Sequence, residues 1–413
     1  MDFDHPAGWH VLIGDNGAGK SSIIRSIALA LVGPEEAHGL RADWRDWLNR
    51  QAEEGKILVC IEPSVQDKHT GKQGKLKNQL VPNAIAFRRN NGSVNFSGEK
   101  TDGPNPLKYN WGQGEGWFSV AYGPYRRFAG GNQEWTKVFY SQPKLGAHLS
   151  AFGEDVALTE AIEWLVKLQY QSLEQHLNIK SEREAPIEVL TNLKKLINSP
   201  DFMPHKAEID SISSAGVVFK DGNGSLIHVN QLSDGYRSML SLTFELIRQL
   251  VRVYKADEVF KNINNGHMFI DLPGVVLIDE IDAHLHPTWQ TRIGQWFTRY
   301  FPKIQFIVTT HSPLICRASE NGTIWRLAAP GGDFDSGEVK GNDRNRLIYG
   351  NILDAYGTEI FGSNVTENIN SVKKKEELVS LSKKKLAGKT SANEEQKLQE
   401  LKKTFSTDDI LEL

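Results

Sequence analysis

One stretch constrains the fold of this chain more than any other: Gly14-Asp15-Asn16-Gly17-Ala18-Gly19-Lys20-Ser21. It fits G-x-x-x-x-G-K-[ST], the phosphate-binding P-loop. The apolar run Val11-Leu12-Ile13 before it reads as a buried strand. Ile24, Ile27, Ala28 and Leu31 after it form the apolar stripe of a helix. Strand, glycine-rich loop and helix are the context in which such a loop works. The glycines let backbone N–H groups turn inward around a phosphate chain, and the helix N-terminus adds positive partial charge. The residues expected to hold a nucleotide are Asn16, Gly17, Ala18, Gly19, Lys20, Ser21 and Ser22. Lys20 is suited to the β/γ-phosphates and the Ser21 hydroxyl to Mg²⁺.

Bulk properties exclude several classes. The 413 residues carry a formal net charge of −3, so no chain-wide cationic field for nucleic acid exists. Two cysteines, Cys60 and Cys316, cannot build a disulfide framework or a cysteine-only zinc site. Both lie in apolar runs and are expected to be reduced, buried thiols of a cytoplasmic protein. No apolar stretch has the length needed to span a bilayer, so no membrane role is expected. The first residues do not read as a signal peptide.

Along the chain, Phe3 and Trp9 are expected to pack. Residues 41–54 read as a helix carrying Trp44, Trp47 and Leu48, and 57–61 as a strand. Residues 66–79 are a polar loop with Lys68, Lys72, Lys75 and Lys77, a solvated hairpin tip before a DNA contact. Residues 84–89 and 94–96 flank the hairpin turn Asn91-Gly92. With 117–122 they suggest an antiparallel lobe, which ends in Tyr122-Gly123-Pro124-Tyr125-Arg126-Arg127. Those arginines sit in a turn that could face phosphate or solvent. Leu158, Ile162, Leu165, Val166 and Leu173 form one helical stripe. Pro186 opens a second helix, and 217–219 with 226–229 form another hairpin.

Three later stretches carry chemistry. In Leu232-Ser233-Asp234-Gly235-Tyr236, Ser233 is placed to N-cap a helix with the stripe Leu240, Phe244, Ile247 and Val251. Its start, with Ser233 and Gly235, suits a γ-phosphate. Val275-Val276-Leu277-Ile278 reads as a strand buried on both faces, followed by Asp279 and Glu280. Asp279 is the expected Mg²⁺ acid and Glu280 the general base for an attacking water. Phe306-Ile307-Val308-Thr309-Thr310-His311 repeats that pattern, and His311 is placed to sense a γ-phosphate. Ligands of open α/β sheets bind at the C-terminal ends of parallel strands, so these groups are expected to converge. His284 and His286 alternate without a further ligand set, so no zinc site is expected there. Pro287 opens a helix with Trp289, Ile293, Trp296 and Tyr300.

Together these motifs resemble the ABC-type ATPase head of the SMC/RecF-like branch, over roughly residues 8–330. The order is P-loop, LSDGY signature, VVLIDE, the D-loop-like IDAHLHP and TTHSP. The phrases AYGPYRR, DEIDAHLHPTWQ and FPKIQFIVTTHSP are similar to bacterial anti-phage ATPases of the PtuA kind, found in Septu and retron systems. The resemblance implies an α/β P-loop fold with a mixed parallel sheet, an antiparallel lobe, a helical lobe and a C-terminal helical hairpin. It implies ATP and Mg²⁺ as ligands, ATP hydrolysis that the departure Asp234 is expected to slow, and a homodimer or higher oligomer. In that dimer Ser233 and Gly235 of one copy meet the P-loop of another, with Asp282 at the seam. It also implies a separate HNH-type nuclease as partner. The alternatives are a restrained toxin effector, as in PARIS-like systems, or a RecF-like DNA repair role. Three departures stand out: Asp234 replaces the usual glycine; no strand precedes the P-loop by some twenty residues, from truncation, misassignment or altered base recognition; and Gln113 is a weak Q-loop candidate.

The expected organisation is residues 1–145 and 211–345 as two halves of the head, 146–210 as a helical insert, and 346–413 as a tail. In the tail, 351–361 reads as a short helix and turn. Residues 365–386 and 391–404 read as charged helices, with a capping box Ser391-x-x-Glu394 on the second. The lysine triplets at 373–375 and 383–385 read as a solvated face. Asp333-Phe334-Asp335 reads as a loop, and no Toprim nuclease is expected.

Overall fold

The computed structural model describes residues 1–40, 43–70, 79–112, 114–124, 141–152, 159–176, 186–203, 206–213, 216–283, 285–331, 335–351, 355, 369–386 and 388–404. Gln113, Arg126, Arg127, Leu158, His284, Asp333, Phe334, lysines 72, 75 and 77, and nearly all of 351–361 lie outside these, as does the Asp234 side chain. The chain divides into Met1–Tyr349 and Gly350–Leu413.

The first unit is organised on a six-stranded sheet. Its strands are β1 (Gly8–Gly14), β5 (Ser119–Tyr122), β9 (Gly274–Ile278), β10 (Ile304–Thr309), β11 (Ile324–Leu327) and β12 (Gly337–Glu338), in the order β12-β11-β1-β10-β9-β5. Every pairing is parallel except β11 with β12. The expected runs Val11–Ile13, Val275–Ile278 and Phe306–Thr309 all fall in its strands, because continuous apolar residues suit a strand covered on both faces. On one face Leu12, Ala121, Leu277 and Ile307 meet Ile24, Ala28 and Leu31 of helix α1 (Lys20–Val32). On the other face Trp9 is fully buried against Phe297 and Phe306, and its Nε1–H donates to the Ile315 carbonyl at 3.1 Å. Removing a ring in that position costs about 3–5 kcal/mol. Phe3 also packs, 4.7 Å from the His10 ring and 6.4 Å from Trp325.

Residues 117–122 do not belong to the antiparallel lobe. β5 pairs parallel to β9, from Ser119↔Val275 to Tyr122↔Ile278. The burial pattern explains why: Val120, Ala121 and Tyr122 are all buried. By contrast β2 (Glu54–Ile61) alternates exposed and half-buried residues. The antiparallel sheet is β2 with β3 (Val81–Asn90) and β4 (Ser93–Gly98). Asn91 and Gly92 turn between β3 and β4 with φ of 49° and 80°, the left-handed pair a tight hairpin needs. The same alternation corrects Cys60, which is exposed in the outward set of β2; only Cys316 is buried.

The expected helix over 41–54 is a single 3-10 turn, Trp44–Trp47. Asp43 accepts the Arg45 N–H at 3.0 Å and Asn49 accepts the Gln51 N–H at 3.0 Å. These side-chain bonds compete with helix continuation. Trp44 and Trp47 instead cover Phe87 and Phe96.

Helices α2 (Thr159–His176) and α3 (Pro186–Ile197) pack together. Among the described side chains of α2, Leu165, Leu168 and Ser172 are buried, while Leu173 is half exposed, so the expected stripe is rotated. A second three-stranded sheet joins β6 (Glu208–Ser213), β7 (Gly216–Lys220) and β8 (Leu226–His228), one strand more than the hairpin expected there. Helix α4 (Asp234–Tyr254) follows, with Leu240, Phe244, Ile247 and Val251 buried. The helix expected after Pro287 is broken into α5 (Pro287–Gln290) and α6 (Ile293–Tyr300).

In the second unit, α8 (Ile369–Leu386) and α9 (Ala392–Thr404) bury Leu381, Leu398 and Leu401. The capping box is closed: Glu394 N donates to Ser391 Oγ at 3.3 Å and Ser391 N to Glu394 Oε2 at 3.0 Å. Between the units' helices in sequence lies α7 (Gly341–Tyr349), the last element of the first unit. Among the described residues no helix is long and apolar enough to cross a membrane.

Candidate functional site

Four parallel strands bring their C-terminal ends to one edge. The register aligns Leu12 with Thr309, Val308 with Ile278, and Ile278 with Tyr122. The P-loop therefore leaves β1 beside Thr310-His311, which leaves β10 beside Asp279-Glu280 at the end of β9. Neighbouring bonds tie this edge together. Thr310 N donates to the Leu12 carbonyl at 3.2 Å, and Asp279 N to the Tyr122 carbonyl at 2.8 Å.

The P-loop has the shape its sequence requires. Gly17 and Gly19 have φ of 82° and 89°, and a Cβ on either would meet nothing within 4 Å, so the cradle faces open space. Gly14 is demanded by packing instead: a Cβ there would lie 2.6 Å from the Leu327 carbonyl of β11. Helix α1 starts at Lys20 with no side-chain cap and no acid in its first turn. Its first N–H groups are thus left for an anion.

Lys20 is buried, and its Nζ donates to the carbonyls of Gly14 at 2.7 Å and Asp15 at 3.0 Å. Burial lowers the pKa of this ammonium, while Asp279, Glu280, Asp15 and Asp282 push it back up. Both acids that follow β9 therefore act electrostatically on the P-loop lysine. Ser21 is half-buried and Ser22 and Asn16 are exposed at the same loop.

Asp279 is 2% exposed, and its Oδ1 accepts the Thr309 hydroxyl at 2.5 Å. Glu280 follows with a left-handed φ of 49°, and its N–H donates to Thr309 Oγ1 at 2.7 Å. His311 is exposed at the same edge. Asp282 accepts the Thr310 hydroxyl at 2.5 Å. The polar groups whose role the motifs did not disclose are Thr309, Thr310, Ser312 and Gln290; Ser312 Oγ bonds Gln290 Oε1 at 2.7 Å. The sequence signal for the two threonines and Ser312 is a polar run closing an apolar strand; Gln290, at the end of α5, has none.

The signature turn lies elsewhere in the bonding pattern. Ser233 stands at the N-cap of α4 with extended φ of −60° and ψ of 154°, yet its side chain makes no capping bond. It is exposed and Gly235 is half-buried. Tyr236 packs edge-on to Trp289 of α5 at 5.7 Å. His286 caps α5: its Nδ1 accepts the Thr288 N–H at 3.3 Å. Among the described residues no cluster of three or more metal-binding side chains occurs.

An open glycine cradle, an uncapped helix start and a buried cation near two acids are features that suit a phosphate anion. The carboxylate of Asp279 and the hydroxyl of Ser21 are oxygen donors of the kind Mg²⁺ takes.

Comparison with known proteins finds relatives over much of the chain. The chain is 28% identical over 320 residues to the Septu protein PtuA of Bacillus mycoides, covering 77% of this chain and 36% of that one. It is 41% identical over 107 residues to the Retron Ec83 probable ATPase of Escherichia coli, covering 26% of this chain and 18% of that one. The chain thus spans about a third or less of the length of the curated relatives it matches. Among solved structures, an SMC head bound to the C-winged helix domain of ScpA aligns with a TM-score of 0.43 and 14% identity, over 83% of this chain and 92% of that one. Residues 10–317 match the family model described as "AAA domain, putative AbiEii toxin, Type IV TA system". That stretch holds nearly all of β1, the P-loop, Asp279, Glu280 and His311, and the chain belongs to this AAA-domain family.

Proposed function

We propose that this chain is an ATP-binding and ATP-hydrolysing head that acts through composite sites between copies, as the regulatory or sensing subunit of a bacterial anti-phage defence system. The observation that carries the reading is the alignment of the P-loop, Asp279-Glu280 and Thr310-His311 on adjacent parallel strand ends.

In this reading the loop N–H groups of Asn16 to Gly19 and the first turn of α1, with Ser21 and Ser22, cradle the phosphates. Lys20 leaves the Gly14 and Asp15 carbonyls to pair with them. Ser21 and Asp279 would hold Mg²⁺, and the bound ion would supply positive charge against the phosphates. Glu280 accepts the proton of the attacking water, and His311 reports the γ-phosphate. Ser233 and Gly235 complete the site from a second copy. The names of the relatives, a Septu protein and a retron ATPase, support the defence setting; a separate effector, an HNH-type nuclease in the first instance, rests on the motif resemblance. The toxin named in the family description favours a second reading, in which the ATPase restrains a toxin.

Phosphate release by wild type and Glu280→Gln, with ATP and Mg²⁺, tests the chemistry. The variant is expected to lose about 100-fold or more in rate, while ATP drives it into a stable dimer measurable by sedimentation. Equal rates would remove Glu280 as the base. A monomer at saturating ATP would remove the composite site.

A further inference from the structure

The end of β10 carries two adjacent hydroxyls with no motif role. Thr309 and Thr310 are both fully buried, immediately after the apolar run Phe306-Ile307-Val308. A β-branched apolar residue would suit such a strand end equally well. Each hydroxyl instead binds the acidic segment that leaves β9. Thr309 Oγ1 donates to Asp279 Oδ1 at 2.5 Å and accepts the Glu280 N–H at 2.7 Å. The Thr309 carbonyl accepts the Ile281 N–H at 3.0 Å. Thr310 Oγ1 donates to Asp282 Oδ1 at 2.5 Å. One residue therefore grips three successive residues, and its neighbour grips the fourth.

Glu280 is where this grip matters. Its φ of 49° is uncommon for a residue with a side chain. Such a conformation persists only where its surroundings over-determine it, and it gathers at functional sites. The N–H of Glu280 is fixed by the Thr309 hydroxyl, and the residues on either side are fixed by the same threonine.

We propose that Thr309 is a positioning residue for ATP hydrolysis: its hydroxyl holds the Glu280 backbone in the left-handed conformation from which the carboxylate works, and so sets the Asp279-Glu280 pair relative to the P-loop. The proposal rests on Glu280 being the base. Thr309 is no part of the P-loop, so nucleotide affinity measured without Mg²⁺ is independent of it. Serine keeps the donor and acceptor; valine keeps the shape and loses both.

The test is steady-state hydrolysis and ATP affinity for Thr309→Val, Thr309→Ser, Glu280→Gln and the double variant Thr309→Val/Glu280→Gln of the full chain. Thr309→Val is expected to lower kcat by about 10- to 100-fold, the cost of a misplaced catalytic group, with ATP affinity measured without Mg²⁺ unchanged. Thr309→Ser is expected within about threefold of wild type, and Thr309→Val to add nothing on Glu280→Gln, as for residues that act as a unit. Thr309→Ala carries the valine expectation and replaces it if the valine variant melts below the assay temperature. Wild-type kcat in Thr309→Val and Thr309→Ala, with Glu280→Gln inactive, overturns the positioning role and leaves the base assignment standing. Equal loss in the serine and valine variants, or a further loss on Glu280→Gln, overturns it in favour of a structural role. Full activity in Glu280→Gln overturns both.

Discussion

The C-terminal edge of the parallel sheet and the start of α4 both set polar side chains at the ends of buried elements, and they differ in how those groups are satisfied. At the sheet edge the chain supplies the partners: Lys20 bonds Gly14 and Asp15, Thr309 bonds Asp279, and Thr310 bonds Asp282. At α4, Ser233 holds an N-cap position and makes no capping bond. Ser312 makes the contrast sharp. It too is an N-cap serine, but its Oγ accepts the Leu314 N–H at 3.3 Å and donates to Gln290. An N-cap side chain that leaves the helix N–H groups uncapped keeps that helix start available to an outside anion. One region is completed within the chain, and the other has the form of a half site.

The largest expected effect falls on the completed region. Lys20→Ala removes a buried cation near Asp279 and Glu280 and is expected to weaken ATP binding by about 100-fold or more, of the order seen when a buried charge loses its partner. Equilibrium binding of a fluorescent ATP analogue measures it. Unchanged affinity would break the comparison by removing the P-loop from the site.

The second effect tests how firmly that region is supported. His148 is fully buried under β5, where Ala147 O accepts the Ala121 N–H at 3.0 Å and Ser150 Oγ donates to the Ala121 carbonyl at 3.2 Å. Burial lowers its pKa from 6.5 to about 4. The folded state thus keeps the imidazole neutral where the unfolded chain protonates it. Stability from this group is intact above pH 6.5 and is lost as pH falls towards 4, by up to about 3 kcal/mol. Melting temperatures of wild type and His148→Gln between pH 7.5 and 4.5 should converge as pH falls, because the variant lacks this slope. Parallel curves would show that the histidine carries no such linkage.

These effects also indicate what the sequence could and could not disclose. The P-loop and the two later strand ends were legible because each combines a continuous apolar run with polar residues at a fixed place, a pattern that needs no tertiary knowledge. The place of β5 was not: Phe118-Ser119-Val120-Ala121-Tyr122 is short enough to suit either sheet, and its pairing with β9 is set by residues more than a hundred positions away. Residues 41–54 failed locally, because Asp43 and Asn49 capture backbone N–H groups that a helix would have used. Cys60 was misread because a single apolar run does not say which of its residues face outward. Thr309 and Thr310 were visible as letters but not as bonds, since their partners are 28 to 30 residues away in sequence.

The smallest effect is the one that most sharpens the comparison. Replacing an N-cap serine by alanine costs typically about 1 kcal/mol of stability when its side chain caps the helix. Ser233 makes no capping bond, so Ser233→Ala should leave the melting temperature of the nucleotide-free chain nearly unchanged, whereas Ser312→Ala should lower it. If the Ser233 hydroxyl serves a phosphate held by another copy, the same substitution should lower hydrolysis by about tenfold, near 1.4 kcal/mol, the worth of one hydrogen bond to a charged group. ATP affinity of the isolated chain should stay put, because the P-loop is complete without it. A loss of stability without loss of hydrolysis would make Ser233 an ordinary cap and close the half site. A loss of hydrolysis without loss of stability would leave the two regions as parts of one site split between two molecules.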